Sequence, residues 1–347
     1  MRDLIFDRNI CLNCETLDCL VRCQYLDLDL DRAKREKIKI LHGEDSFVLH
    51  ECATCYACEE YCPNNNHPFF QIVELQEKRG MYTAPKPITH QQIKWYSLKG
   101  DIELAEPLAS PAVSLCLFPD MEERIQGDVF EGASSFLGRD FFCNLVYLHF
   151  ARMSLIKDRL PRVIENIRQN LEKSGLDELV CFHDECYAGF THWAGAYGVE
   201  VPFRSVHLYD FLAQRLKALE EKISPLHKRV AYQRPCSNRL IPETQRFVDD
   251  VFELIGAERV PRAYDRETAL CCGSILFMQG RDDLAEELQE KNIKDMLEAG
   301  AEYCVFNCPM CFYTLGEAVS KAGIVPVMMP DLCQMALGER EDGRRNL

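Results

Sequence analysis

The run TALCCGSILF, residues 268–277, decides how the rest of the chain is read. Its Cys271 and Cys272 are adjacent, so their Cα atoms lie only ~3.8 Å apart, short of the ~4.4–6.8 Å that a disulfide spans. Two neighbouring thiolates can instead reach two different irons of one cluster, and Gly273 leaves room for the backbone to come close to it. Outward from the pair stand Cys236 upstream and Cys308 and Cys311 downstream. Five cysteines are one more than a tetrahedral zinc or an ordinary cubane requires.

Towards the amino end lie two further runs, Cys11-x2-Cys14-x4-Cys19-x3-Cys23 and Cys52-x2-Cys55-x2-Cys58-x3-Cys62, the second followed by Pro63. The second has the full spacing of bacterial ferredoxins, in which three cysteines hold one cubane and the fourth ligates the other. That crossover predicts one 4Fe-4S cubane on Cys11, Cys14, Cys19 and Cys62 and another on Cys23, Cys52, Cys55 and Cys58. The first run departs from the pattern by two extra residues before Cys19 and has Gln24 where a proline would stand. Between the runs, the charged stretch 31–39 reads as a solvated helix or loop. His42, His50 and His67 read as ordinary surface or packing histidines, since each cubane already has four cysteines.

Composition narrows the class. The chain of 347 residues is 47% hydrophobic with a net charge of -15, which suits a folded protein of two or three domains and argues against nucleic-acid or anionic-membrane partners. Nineteen cysteines cannot all pair internally, and the first residues lack the apolar core of a secretory signal. The expectation is a cytoplasmic protein with reduced thiols. Residues 141–156 form the longest apolar-rich run, too short and too interrupted to span a membrane, and read as a buried helix. No nucleotide-binding glycine motif is visible, so a flavin or nicotinamide would belong to a partner.

After residue 112 short β-type runs alternate with helical ones, the pattern of an α/β layer structure. One helix is predicted in 158–175, with Leu160, Val163, Ile164, Ile167 and Leu171 on a single face. Residues 178–190 align with 303–315 at an offset of 125, placing His183 over Cys308 and Cys186 over Cys311. Residues 201–212 align with 325–336 at an offset of 124. This is an internal duplication. The predicted organisation is an α-helical ferredoxin-like two-cluster module (1–80), a proline-containing linker (81–111), two copies of an α/β unit (112–224 and 225–337) and a polar tail (338–347).

The set Cys236-x34-Cys271-Cys272-Gly273-x34-Cys308-x2-Cys311 resembles the CCG cysteine-rich domain of heterodisulfide reductases, and related domains occur in iron-sulfur subunits of anaerobic glycerol-3-phosphate, glycolate and lactate dehydrogenases. The amino-terminal module resembles the small iron-sulfur subunit of the same enzymes. The resemblance implies a noncubane 4Fe-4S cluster on Cys236, Cys271, Cys272, Cys308 and Cys311. It implies an electron-transfer subunit working with flavin- or iron-sulfur-containing redox subunits in a multi-subunit complex, with no transmembrane segment of its own. A relay subunit of a hydroxyacid or glycerol-3-phosphate dehydrogenase is the alternative, and a zinc-stabilised interaction protein is a third reading. The first copy departs from the family, with Phe142-Cys143-Asn144 in place of CCG and His183-x2-Cys186 in place of the final pair. Cys143, His183 and Cys186 would suit zinc, with Cys116 or Cys181 as a fourth ligand. Cys304 and Cys333 read as packing residues.

Overall fold

The computed structural model describes residues 5–341; the last six residues of the predicted polar tail lie outside the described residues. Two four-stranded parallel sheets carry residues 112–337. Strands β1 (Ala112–Cys116), β2 (Ser134–Leu137), β3 (Glu178–Cys181) and β4 (Arg204–His207) form the first, in the order β2-β1-β3-β4. Strands β5 (Lys228–Gln233), β6 (Ala257–Arg259), β7 (Tyr303–Phe306) and β8 (Val325–Met328) form the second, in the order β6-β5-β7-β8. The second topology is the first displaced by four strands. The central strands β1, β3, β5 and β7 are almost wholly buried, which is why they read as short apolar runs rather than alternating ones.

Helices cover the sheets because their apolar residues recur on one face. In Met153–Lys173, Leu160, Val163, Ile164, Ile167 and Leu171 are buried while the intervening charges face water. One continuous core joins the lobes: Val113, Leu115 and Val180 of the first sheet share it with Val230, Tyr303 and Val305 of the second. At the boundary, buried Tyr209 donates a hydrogen bond to Tyr232 (3.0 Å).

Residues 5–80 are helical, with short helices around the cysteine runs and longer ones at Leu30–His42 and Pro68–Lys78. This module is docked onto the second lobe by partly buried polar contacts. Gln24 and Tyr61 donate to the carbonyls of Thr268 and Glu267 (both 2.6 Å), and Glu60 accepts from Arg234 and Arg239.

Three expectations change. Residues 141–156 are buried but are not one helix: Asn144 and Ala151 adopt left-handed backbone, which ends the 3-10 turn between them, and the α-helix starts only at Met153. Residues 81–111 are not a bare linker. They contain the helix Lys86–Trp95 and then a strap along Met153–Lys173, where Asn170 and Ser174 accept from the backbone of Leu104 and Leu108 and Asn166 donates to Gly100. The charged stretch 31–39 is helical as allowed, but two of its charges are buried. Lys37 donates to the carbonyls of Leu12 and Cys14, and Glu36 accepts from Ser46 and Phe47.

Candidate functional site

Cys11, Cys14, Cys19 and Cys62 form one group of thiols. Burial pushes Cys11 up to about 11, with Cys14 and Cys62 adding repulsion, and it raises Cys19 further, with Cys62, Cys11 and Cys14 adding to the effect. Cys23, Cys52, Cys55 and Cys58 form a second group. Burial pushes Cys23 and Cys52 up to about 12, each with Cys55 as a further cause, and Cys58 is raised by burial, Glu59, Cys52 and Cys55. The two groups are neighbours, since Cys19 also acts on Cys58.

The loops that present these thiols turn through left-handed residues, Leu17 in the first run and Thr54 and Tyr56 either side of Cys55. Such turns aim backbone N–H groups inward, where they stabilise negative charge. The amide of Thr54 points at the sulfur of Cys52 (3.4 Å) and that of Asn66 at the sulfur of Cys62 (3.3 Å). The nearby histidines have carboxylate partners instead: His67 with Glu59 (2.7 Å), His50 with Asp45 (2.8 Å) and His42 with Glu44 (3.6 Å).

The third group lies at the carboxyl ends of β5 and β7. Cys236 begins the turn after β5, and Cys308 caps the helix Pro309–Lys321, whose first turn carries Cys311. Gly273 has φ +93°, and a Cβ there would meet the side chain of Ala285 at 3.1 Å, so only glycine fits comfortably behind the paired cysteines. The thiol of Cys272 is hydrogen-bonded to those of Cys271 and Cys311, which together hold it well below the usual value, while the same hydrogen bonds push Cys271 and Cys311 up. Burial raises Cys236, with Glu185, Cys272 and Cys308 adding to it. All five therefore converge, and the amide of Gly273 points at the sulfur of Cys271 (3.4 Å).

They line one wall of a cavity of about 690 Å³ between the lobes. The other walls are largely apolar, with Tyr96, Phe118, Phe142 and Met278 among them, and Arg139 contributes a cation. In open α/β sheets this edge, beyond the strand ends, is where ligands bind.

Several residues that matter here carried no motif. Tyr25, two positions past Cys23, hydrogen bonds to the thiol of Cys55 and accepts from the amide of Cys271 (3.3 Å), so it bridges the second and third groups. Tyr56 is buried near Cys55 and Cys236, and its ring packs edge-on against His149 (4.8 Å). His149 meets the sulfur of Cys236 (3.9 Å) and Thr54 (3.1 Å), and burial lowers it to about 4. Glu185, on the cavity wall, is pushed up to about 7 by burial.

In the first lobe the ligand atoms of Cys116, His183 and Cys186 lie within 4.8 Å of one another. Cys143 is hydrogen-bonded to Cys186, and Cys181 is raised by burial, with Cys116 and Cys143 adding to it. Cys304 and Cys333 are fully buried in the core that the lobes share.

Residues 230–316 match the CCG cysteine-rich domain family. The chain is 29% identical over 176 residues to a subunit of the dihydromethanophenazine:CoB--CoM heterodisulfide reductase of Methanosarcina barkeri, covering 48% of this chain and 42% of that protein. To the corresponding subunit from Methanosarcina mazei it is 29% identical over 194 residues, covering 52% and 46%. It thus spans about half the length of these relatives. A hypothetical protein from Helicobacter pylori shares the fold at a TM-score of 0.52 and 14% identity, over 85% of this chain and 62% of that one. Among the described residues no helix is long and apolar enough to cross a membrane. Residues 230–316 are a CCG cysteine-rich domain, and the chain carrying it is a homologue of this heterodisulfide reductase subunit.

Proposed function

We propose that the chain is an iron-sulfur electron-transfer subunit of a heterodisulfide reductase-like oxidoreductase. Cys11, Cys14, Cys19 and Cys62 would hold one 4Fe-4S cubane, Cys23, Cys52, Cys55 and Cys58 the second, and Cys236, Cys271, Cys272, Cys308 and Cys311 a noncubane 4Fe-4S cluster. Thirteen thiols in three groups, served by inward amides, fit anionic clusters better than they fit a core of packing cysteines. When bound, such clusters supply one-electron steps.

The observation that carries this reading is the bridge made by Tyr25. Its hydroxyl touches a thiol of the second group and the amide of Cys271, so the three groups form a file from the helical module to the cavity. The first group lies among exposed apolar side chains, Ile10, Leu12 and Val21, which suits entry from a flavin- or iron-sulfur-containing partner. At the far end, Cys271 and Cys272 face a cavity with largely apolar walls. Arg139 makes no side-chain hydrogen bond or ion pair among the described residues and is available to an anionic group on a disulfide-like substrate.

Iron and acid-labile sulfide analysis of oxygen-free protein, with EPR, tests the reading. Cys272→Ala should remove one signal and leave two, whereas Cys62→Ala should damage the cluster held by the first run. Protein without iron and sulfide would overturn the proposal. Loss of every signal in Cys272→Ala would show that the groups are not separate sites.

A further inference from the structure

Building on the electron-transfer reading above, we propose that Arg234, Arg239 and Glu60 form a buried, net positive cluster that raises the reduction potential of the centre on Cys23, Cys52, Cys55 and Cys58. Both arginines come from the second lobe: Arg234 directly follows β5, and Arg239 lies in the 3-10 turn Cys236–Leu240. Glu60 comes from the helical module, in the short helix Ala57–Tyr61. The cluster therefore exists only where the two parts meet.

Its charges do not balance. The two guanidinium groups are 1% and 4% exposed. Glu60 is the sole carboxylate bonded to either among the described residues, accepting from Arg234 (2.8 and 3.0 Å) and from Arg239 (2.9 Å). Their other bonds go to neutral acceptors, the carbonyls of Arg266, Glu267 and Ala269 and the side-chain oxygen of Asn238. Two cations against one carboxylate leave a net charge of +1, and Nη2 of Arg234 is sealed from water with no hydrogen-bond partner. An uncompensated buried charge is strongly destabilising, so a fold that keeps one needs an anion close by.

The second thiol group is that anion. Burial alone would lower the Arg239 guanidinium, but Cys55, Tyr61 and Glu60 outweigh it, Cys55 most of all. Reciprocally, burial raises the Cys55 thiol, and Arg239 opposes that rise more than any other group. Position agrees. The Arg239 guanidinium stands 5.5 Å from the centre of the Tyr61 ring and donates to the carbonyls of Glu267 and Ala269, in the segment that leads to Cys271. It also acts on Tyr25, which joins Cys55 to Cys271.

One electron taken from the redox partner adds one negative charge to the centre, and a cation nearby in a poorly polarisable site favours that state. Glu60 by itself would do the opposite. The module thus supplies the thiols and a carboxylate, and the second lobe supplies the cations that reverse the local sign. Docking turns the second centre into the better electron acceptor, beside the third group that it must serve.

EPR-monitored redox titration of the full chain, purified without oxygen, tests this on the signal that survives in both Cys62→Ala and Cys272→Ala. Arg239→Gln should shift the reduced-to-oxidised ratio about tenfold towards oxidised, a potential lowered by 59 mV for one electron. Arg239→Lys keeps the charge and should recover most of that shift. Glu60→Gln should move the ratio the other way, and it decides the matter should Arg239→Gln lose iron. An unmoved ratio in iron-replete Arg239→Gln, a ratio in Arg239→Lys equal to that in Arg239→Gln, or an unmoved or lowered potential in Glu60→Gln would each overturn the role of the cluster. The three signals of the wild type, and with them the electron-transfer reading, would then still stand. Wild type without iron and sulfide would overturn both.

Discussion

Asp184 accepts a hydrogen bond from Asn307 across the boundary between the lobes (2.8 Å), so the residue after His183 is tied to the residue before Cys308. Its other oxygen accepts from Asn238 (2.6 Å) and faces His207 (3.2 Å), and all four groups are buried. Burial alone would raise this carboxyl, but His207 and the two asparagines hold it below the usual range. The tie sets the separation of the two walls of the cavity.

Asp184→Ala should therefore destabilise the protein strongly. It leaves donors of Asn238, Asn307 and His207 facing a dry gap, and each buried unsatisfied group costs about 1–3 kcal/mol. A thermal melt of the anaerobic protein should show a midpoint lowered by several degrees; an unchanged midpoint would mean that the tie does not hold the lobes together.

Tyr25→Phe should alter electron flow, with the loss of stability limited to the hydrogen bond that the Cys271 amide gives up, because the ring is kept. The hydroxyl hydrogen bonds to Cys55, and a donor to a ligating thiolate favours the more negative, reduced state. A hydrogen bond to a charged group is worth about 1.5–3 kcal/mol. Only the part of that energy that differs between the two redox states moves the potential, so its loss should lower the potential of the Cys55-bound centre by up to about 60 mV, 59 mV being a tenfold change for one electron. An EPR-monitored redox titration reads this directly, and an unmoved potential would remove Tyr25 from the path.

Lys37→Met should affect the first cysteine group alone. The ammonium donates to the carbonyls of Leu12 (3.3 Å) and Cys14 (2.9 Å) and so closes the loop that carries Cys11 and Cys14. Iron should fall by about four atoms per chain, the content of one cubane. The signals of the other two groups should persist.

The segment before Cys271 makes an acid-sensitive contact. Burial would raise Asp265, but the two-pronged hydrogen bond from Arg259 (2.6 and 2.9 Å) outweighs it and lowers the carboxyl from its usual 3.8. A carboxyl lowered on folding stabilises the native state above its unfolded pKa, and that contribution is lost as pH falls through the folded value. Stability at neutral pH should drop in Asp265→Asn, and the difference from wild type should narrow below about pH 4. Denaturant midpoints measured across pH 3–7 would show this; a constant difference would exclude the ion pair as its source.

Much of this arrangement was legible because it rests on spacing. The repeat at an offset of 125 marked the strand-to-helix turns that carry His183, Cys186, Cys308 and Cys311, and the short apolar runs marked the parallel strands. What the sequence hid depends on contacts between distant segments. Nothing in the run VSLC shows that β1 slips its register at Cys116, so the donors of the first lobe could not be ranked against Cys181. The strap over 96–111 is held by Asn166, Asn170 and Ser174, side chains on a helix whose pattern reveals only its apolar face. Tyr25 and Lys37 act over 246 and 23 residues respectively, beyond any local motif.

The docking of the helical module onto residues 264–271 has a consequence for assembly. Gln24, Tyr61 and Glu60 are matched to carbonyls and guanidinium groups that lose water when the two parts meet. Two separately translated polypeptides would have to find this fit by diffusion. A single translated strand makes the encounter intramolecular, so each half meets the other at a high effective concentration.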